Sequence, residues 1–327
     1  MLVVQDAYNS HGTDLPRGGV GAIGNFDGLH RGQRAIVDRV VARAAELGVP
    51  AVLVTFEPHP LSVLRPDQAP VPLTTKTQKE KLLEEAGIAV ELVLRFNAEL
   101  ARVPARQFVR EFLHDRLDLR EVYVGQSFVF GHGREGDIDL LREMGGELGF
   151  QAFGVEEVAW GGERISSTRI RRAVAEGKAE DVATMLGRPY SISGVIARGD
   201  RMGQRLGWPT INVMPDHKLL PLDGVYAGRV FFPSYPATFD CVTNVGTRPT
   251  VYENYQRVVE SHILGFKADV YGQRVEVSFH KRLREERIFP TVMDLSAQIA
   301  RDVESTRDYF ARRRSQDGEQ EGAAAEL

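Results

Sequence analysis

Residues 51–56, AVLVTF, form a near-continuous apolar run between Pro50 and Glu57-Pro58. A strand with one wet face alternates apolar and polar side chains. A run like this one belongs to a strand covered on both faces, as in a parallel sheet with helices on each side. The flanking sequence repeats the theme. β-like runs at 20–23, 90–96, 122–124 and 151–156 alternate with helical patterns at 32–47, 76–86, 104–117, 137–148 and 167–176. Gly48 and Gly87 stop the first two helices and Pro104 opens the third, the usual places for these residues. This alternation predicts an α/β doubly wound parallel sheet, whose ligands bind beyond the carboxyl ends of the strands. Three unusual loops sit at those ends: GNFDGLH from Gly24, FEPHP from Phe56 and GQSFVFGHG from Gly125. Their common placement predicts one shared site.

After Gly187-Arg188-Pro189 the pattern changes. Short β-like runs at 190–197, 225–232, 239–245, 258–264 and 275–281 follow one another with no helices between them. They predict a small antiparallel barrel. A long amphipathic helix is expected over 291–313, and the polar tail 315–327 reads as disordered. The expected division is therefore 1–186, 187–314 and the tail, which suits 327 residues. Charge is balanced, 41 basic against 45 acidic residues, which argues against a nucleic-acid wrapper or a membrane-surface binder. One cysteine, Cys241, excludes an internal disulfide framework and a cysteine-built metal site. No signal peptide pattern and no membrane-length apolar run is present, so a cytoplasmic location is expected.

GNFDGLHRGQ, residues 24–33, turns a strand into a helix through Gly24 and Gly28, with His30 at the helix mouth. A helix N-terminus carries unpaired N–H groups and partial positive charge, so it suits phosphate. Glycine allows close approach, and a histidine there can donate to a phosphate oxygen. The same residues also read as an ordinary strand-to-helix turn. ERISSTRIRR, 163–172, adds the hydroxyls of Ser166, Ser167 and Thr168 at a second helix start, where hydroxyl caps are common. Arg164, Arg169, Arg171 and Arg172 crowd that same start, where cations are disfavoured unless a polyanion is present.

GNFDGLHRG, FEPHP, FGHGREGD and RISSTRIR, in this order, resemble the adenylyltransferase half of the bacterial bifunctional riboflavin kinase/FAD synthetases, a nucleotidyltransferase group with an HxGH signature. The resemblance implies ATP held at the switch point of the sheet, with the FMN phosphate attacking its α-phosphate. It implies that Gly24, Asn25, Phe26 and Gly28 shape the nucleotide site, that His30 contacts the triphosphate, and that Ser167, Thr168 and Arg171 hold it from the other side. Asp27 is expected to shape the turn. Two positions depart from the pattern: Gln33 replaces the signature's second histidine, and Ser127, at the expected flavin site, stands where the family usually has Asp or Asn. Glutamine still donates a hydrogen bond but carries no charge. FAD formation is therefore expected to be slow rather than absent.

In the second half, ARGDRMGQRLGWPTINV places Gly199, Gly203 and Gly207 in a basic loop that leads into Thr210 and Asn212. These two alternate with Ile211 and so share one face of a strand. Two neutral oxygens on one face suit a Mg²⁺ shell completed by water and phosphate, and they equally suit a plain polar face. Glu260, among β-branched residues, reads either as a general base or as an exposed strand position. Together these resemble the riboflavin kinase module, with Ile211 in place of the alanine of its Pro-Thr-Ala-Asn motif. That resemblance implies Mg²⁺–ATP on Thr210 and Asn212, a phosphate-covering loop through Gly199, Gly203 and Gly207, Arg284 at the flavin, and Glu260 as the base for the riboflavin 5′-hydroxyl.

The expected fold is thus a doubly wound α/β domain of the HxGH nucleotidyltransferase type followed by a small riboflavin kinase-like barrel with a C-terminal helix. The expected activity makes FMN from riboflavin and FAD from FMN, using ATP and Mg²⁺. Gln33 and Ser127 keep open a kinase with a vestigial first domain. A flavin or nucleotide sensor without turnover is the rival of another class, and the presence of Glu260 argues against it, since a binder needs no base. The expected partners are small molecules, riboflavin, FMN and ATP, with no nucleic acid and no membrane. Nothing in the pattern specifies an oligomer.

Overall fold

In the computed structural model, the described residues are 1–5, 15–198, 203, 206–235, 237–248 and 256–325. Six strands make the first sheet: β1 (Leu2–Gln5), β2 (Val20–Ile23), β3 (Ala51–Glu57), β4 (Val90–Arg95), β5 (Glu121–Gly125) and β6 (Gln151–Val155). They lie in the order β1-β4-β3-β2-β5-β6, and every pairing is parallel. The chain adds strands to one side of β2 and then crosses to the other, so the order reverses between β2 and β5. Helix α1 (Arg31–Leu47) follows β2. Then come α2 (Pro60–Leu64), α3 (Lys76–Glu85), α4 (Ala105–Phe108) and α5 (Ile138–Leu148).

The run at 51–56 is covered on both faces, as its composition requires. Leu53 packs in one core with Val37 and Val40 of α1 and Leu83 of α3. Val52 and Val54 pack in another with Phe108, Phe112, Leu141 and Met144. Each such fully buried side chain contributes about 1.5–3 kcal/mol. Helix α1 ends as expected at Gly48, whose φ of 64° lets its N–H reach the carbonyls of Ala44 and Ala45. The helix expected over 104–117 is α-helical only through α4 and continues as a π-helix over Val109–Arg116. The wider turn keeps Phe108, Phe112, Leu113 and Leu117 together in the core. Strand β1, a four-residue edge strand, has no counterpart in the expected elements.

A short hairpin, β7 (Ala159–Trp160) and β8 (Glu163–Arg164), precedes α6 (Ser167–Ala175) and α7 (Ala179–Leu186). The compact units are Met1–Thr168 and Arg169–Leu327. The change in sequence pattern comes later, at 187, because α7 packs on the barrel strands β9 (Tyr190–Ala197) and β14 (Arg274–Arg284). Between these run β10 (Ile211–Pro215), β11 (Gly224–Phe231), β12 (Thr238–Arg248) and β13 (Gln256–Ile263). The six close in the order β10-β13-β12-β11-β14-β9, all antiparallel. The final helix, α8 (Val292–Ala325), does not stop at 313 but runs on through the tail expected to be disordered. Eight of the thirteen residues of that segment are Gln, Glu or Ala, which favour helix whether or not a core is available.

Candidate functional sites

The turn after β2 is built from strained backbone. Phe26, Gly28 and Leu29 have φ of 47°, 89° and 39°. Gly28 accepts this freely, whereas Phe26 and Leu29 sit in a region that bulky side chains avoid. Both anchor themselves by burial, at 2% and 4% exposure. Phe26 was expected at the nucleotide. Its ring lies instead in the core beside α1, so only its backbone faces the turn. Gly24 is needed for that same packing, since a Cβ there would come 3.1 Å from the Phe26 ring.

Side chains from distant segments hold the turn. Asp27 Oδ1 accepts from the Leu73 N–H at 2.9 Å, and the Asp27 carbonyl accepts from the Ser167 hydroxyl at 2.9 Å. The expected role of Asp27 as a shaping residue has this concrete form. Ser167, the first residue of α6, is thereby tied to the turn that leads into α1. Arg171 follows Ser167 by four residues, on the same side of α6. Asn25 Nδ2 lies 3.1 Å from His59 Nε2 of the FEPHP loop.

His30 is the N-cap of α1 and is buried. Its Nδ1 accepts from the Gln33 N–H at 3.3 Å, and Gln33 Oε1 accepts from the His30 N–H at 3.1 Å. This reciprocal cap satisfies two helix-end donors. It also places the proton of the neutral imidazole on Nε2, because Nδ1 is the acceptor. Gln33 was expected to reach the phosphate with its amide. Its oxygen is committed to the cap, which leaves only its NH₂ group for that purpose.

Ser127 lies in a surface cluster: its hydroxyl donates to Glu157 Oε1 at 2.7 Å and accepts from Arg164 at 2.8 Å, and Arg164 pairs with Glu157. The Ser127 bond holds the Glu157 carboxyl below its ordinary value against the opposing effect of burial, and Arg164 adds to the fall. Three half-buried aromatics went unnoticed in the sequence: Phe56 at the end of β3, Phe96 after β4 and Phe128 after β5. Phe56 and Phe96 meet edge to face at 6.0 Å, and Phe128 stacks on Phe130 at 5.7 Å. The signal was present, since each stands at or just past the carboxyl end of a strand.

In the second unit, β10 and β13 set Asn212 directly opposite Glu260, and β12 sets Asn244 on the other side of Glu260. Their neighbours Ile211, Val213, Val259 and Ser261 are buried, so this polar row lies on the outer face of the barrel. Asn244 Nδ2 donates to Glu286 at 3.2 Å. Thr210 and Asn212 line a cavity of about 380 Å³ together with Phe266, Lys267, Asp269 and Tyr271. The Trp208 indole donates to Ser296 at 3.1 Å, and the Pro209 carbonyl lies 2.8 Å from His262 Nδ1, which fixes the approach to Thr210. Gly203 passes so close that a Cβ would fall 2.3 Å from the Trp208 carbonyl. Gly207 has φ of 81°, and Gly199 lies outside the described residues. Arg284, expected at the flavin, makes a two-pronged pair with the buried Asp302 of α8, at 2.8–3.1 Å.

Among the described residues no group of three or more His, Cys, Asp or Glu side chains could hold a metal by itself. Thr210 and Asn212 offer hard oxygen donors of the kind Mg²⁺ takes when phosphate and water complete its shell. The donor set therefore fits that ion. Also among the described residues, no helix is long and apolar enough to cross a membrane.

Two family models match the chain, FAD synthetase over residues 13–169 and riboflavin kinase over residues 186–310. The bifunctional riboflavin kinase/FMN adenylyltransferase of Escherichia coli K12 is 38% identical over 288 residues, covering 88% of this chain and 91% of that protein. The protein of the same description from Pseudomonas fluorescens is 39% identical over 297 residues, covering 90% and 94%. A crystal structure described as a macrolide-efflux protein from Streptococcus pneumoniae has a TM-score of 0.84 at 25% identity, covering 94% of this chain and 98% of that one.

Proposed function

The chain belongs to the bifunctional riboflavin kinase/FMN adenylyltransferases, and on that premise we propose a residue-level assignment of its two ATP-dependent reactions. It phosphorylates riboflavin to FMN and adenylylates FMN to FAD. Adenylyl transfer is assigned to residues 1–186 and phosphoryl transfer to residues 187–314, in a cytoplasmic enzyme of small-molecule substrates.

For adenylyl transfer, the triphosphate lies at the turn 24–30. A phosphate oxygen of FMN attacks the α-phosphorus of ATP, the bond to the β-phosphate oxygen breaks, and pyrophosphate leaves. Negative charge grows on the α-phosphate and on the leaving group. The Nε2–H of His30, the first turn of α1, and Ser167, Thr168 and Arg171 of α6 stabilise it. The observation that carries this assignment is the cap of His30, because an acceptor at Nδ1 leaves Nε2 as the donor. Gly24, Asn25, Gly28 and the backbone of Phe26 frame the nucleotide. Phe56, Phe96 and Phe128 offer an apolar wall to the flavin, with Ser127 at its rim. The test is FAD formation from supplied FMN in His30→Ala. Unchanged FAD formation would make the turn only a turn.

For phosphoryl transfer, the cavity beside Thr210 and Asn212 takes ATP; Glu260 accepts the proton of the riboflavin 5′-hydroxyl as that oxygen attacks the γ-phosphorus, the bond from the γ-phosphorus to the β–γ bridging oxygen breaks, and ADP leaves. Thr210 and Asn212 would hold Mg²⁺ together with the phosphates, and the ion would supply charge neutralisation there. Gly203 and Gly207, on the approach to Thr210, are assigned to the phosphates. Arg284 acts at the flavin indirectly, by tying the end of β14 to α8. Thr210→Ala and Asn212→Ala should weaken Mg²⁺–ATP use in FMN formation and spare FAD formation. Loss of both activities together would merge the two sites and sink the assignment.

A further inference from the structure

Beneath the turn 24–30 lies a buried polar chain that the assigned chemistry does not use. Lys79 of α3 points into the sheet, with 17% of its side chain exposed. Its ammonium donates to Thr55 Oγ1 at 2.7 Å and lies 3.4 Å from Glu91 Oε1 of β4. Thr55 is fully buried, the single polar residue of the apolar run in β3. Its hydroxyl, having accepted from Lys79, donates onward to the Asn25 carbonyl at 3.4 Å. A charged group is therefore linked through one hydroxyl to the backbone of the strained turn. Neither packing nor solubility calls for an ammonium and a carboxylate here, since a buried pair repays its desolvation poorly compared with apolar residues of like volume.

We propose that Lys79 and Thr55 are positioning residues for adenylyl transfer, holding the Asn25 peptide so that the turn after β2 keeps the form that receives the triphosphate. The inference rests on the assignment of that turn to ATP. The Asn25 carbonyl precedes Phe26, the first residue of positive φ, so a bond there resists relaxation of the turn toward ordinary geometry. The ammonium also adds a fixed positive charge under a site for a polyanion. Four carboxylates face or neighbour the group: Glu91 on β4, Glu57 at the end of β3, Asp27 in the turn, and Glu80 on α3 itself. Burial pulls the Lys79 ammonium below its ordinary value, and Glu91 is the chief group opposing that fall. Burial likewise pushes Glu91 up.

The test uses the full chain, with FAD formation from FMN as the readout and riboflavin phosphorylation on the same preparation as the control. Thr55→Val, which keeps the side-chain shape, and Lys79→Met should each slow FAD formation ten- to a hundredfold, about the cost of a misplaced site. Phosphorylation should be unchanged. The double variant should be no slower than Lys79→Met alone, because one chain of bonds is broken either way. The wild-type rate should fall on the alkaline side as Lys79 loses its proton. In Glu91→Gln that fall should come at lower pH, since the anion that favours the ammonium is gone. Wild-type FAD formation in both Thr55→Val and Lys79→Met overturns the proposal, and so does a Glu91→Gln profile that superimposes on wild type. Thr55→Val decides the matter even where Lys79→Met folds poorly. His30→Ala separates the two levels. If it is inactive while the network variants are normal, only the network is refuted. If it is fully active, the site assignment falls and takes the network with it.

Discussion

The two candidate sites are made in different ways. At the turn after β2, the groups assigned to phosphate are backbone N–H ends, one capped imidazole and a few side chains of α6, and the turn is held by bonds from far along the chain: Leu73 to Asp27, Ser167 to Asp27, Thr55 to Asn25. At the barrel, Asn212, Glu260 and Asn244 stand in a row because antiparallel register puts them there. The first site is a backbone shape that many side chains maintain. The second is a set of side chains on a backbone that the sheet maintains. Changes at a distance should therefore damage the first site, and the second should respond mainly to its own residues.

The largest effect expected on this contrast is at the barrel. Glu260→Gln should lower FMN formation by about 10²–10⁴, the usual worth of a general base, with FAD formation from supplied FMN unchanged. Near-normal kinase turnover would remove Glu260 from the chemistry. Next, His30→Ala should lower FAD formation by about 10²–10³ with the kinase intact. Part of that loss is stability, roughly 1 kcal/mol for a lost N-cap. Thermal unfolding of the variant separates that part from the rest.

Acid should sharpen the contrast in stability. His217 and His280, both buried in the barrel unit, are held down to about 4 by burial, with Arg229 adding to the fall at His280. Their folded values lie below the unfolded value of about 6.5. The unfolded chain therefore takes up protons first, and stability present above pH 6.5 is lost as pH falls toward 4. Each histidine accounts for on the order of 3 kcal/mol by that pH. Kinase activity should thus be lost to unfolding at a higher pH than FAD formation. His280→Phe should flatten the dependence, and an unchanged acid midpoint would refute the cause.

Much of this was legible in the sequence. The apolar run at 51–56 could satisfy only a strand covered twice, and the three odd loops had to fall at the carboxyl ends of parallel strands. That Asn212 and Glu260 stand on strands was legible because strand periodicity is local. What stayed hidden depends on separation in sequence. Arg284 finds Asp302 across 18 residues, Lys79 finds Thr55 across 24, and Asp27 finds Leu73 across 46. Positive φ at Phe26 and Leu29 was also hidden, since nothing in those residue types announces it. The tail was read from its low hydrophobicity, which says that a segment has no core to join and says little about its local helicity.

The smallest effect expected concerns Gln33, where the sequence and the structure assign different work to one side chain. As the stand-in for a second histidine it should donate to phosphate; as the partner of His30 it accepts from a backbone N–H. Three substitutions separate these roles. Gln33→Glu keeps the acceptor of the reciprocal cap and adds an anion beside the triphosphate, so stability should hold while FAD formation falls about tenfold. Gln33→Ala removes the cap bond, which should cost about 0.5–1 kcal/mol of stability, with only a few-fold loss of rate. Gln33→His loses the same bond but restores a donor that can be charged, and charge-assisted bonds are roughly twice as strong as neutral ones. It should therefore unfold at a slightly lower temperature and yet form FAD a few times faster than the native chain. If Gln33→Glu is as fast as the native protein, the side chain does not face the phosphates. Gln33 is then a cap and nothing more, and the first site depends on backbone shape even more completely than the comparison with the barrel suggests.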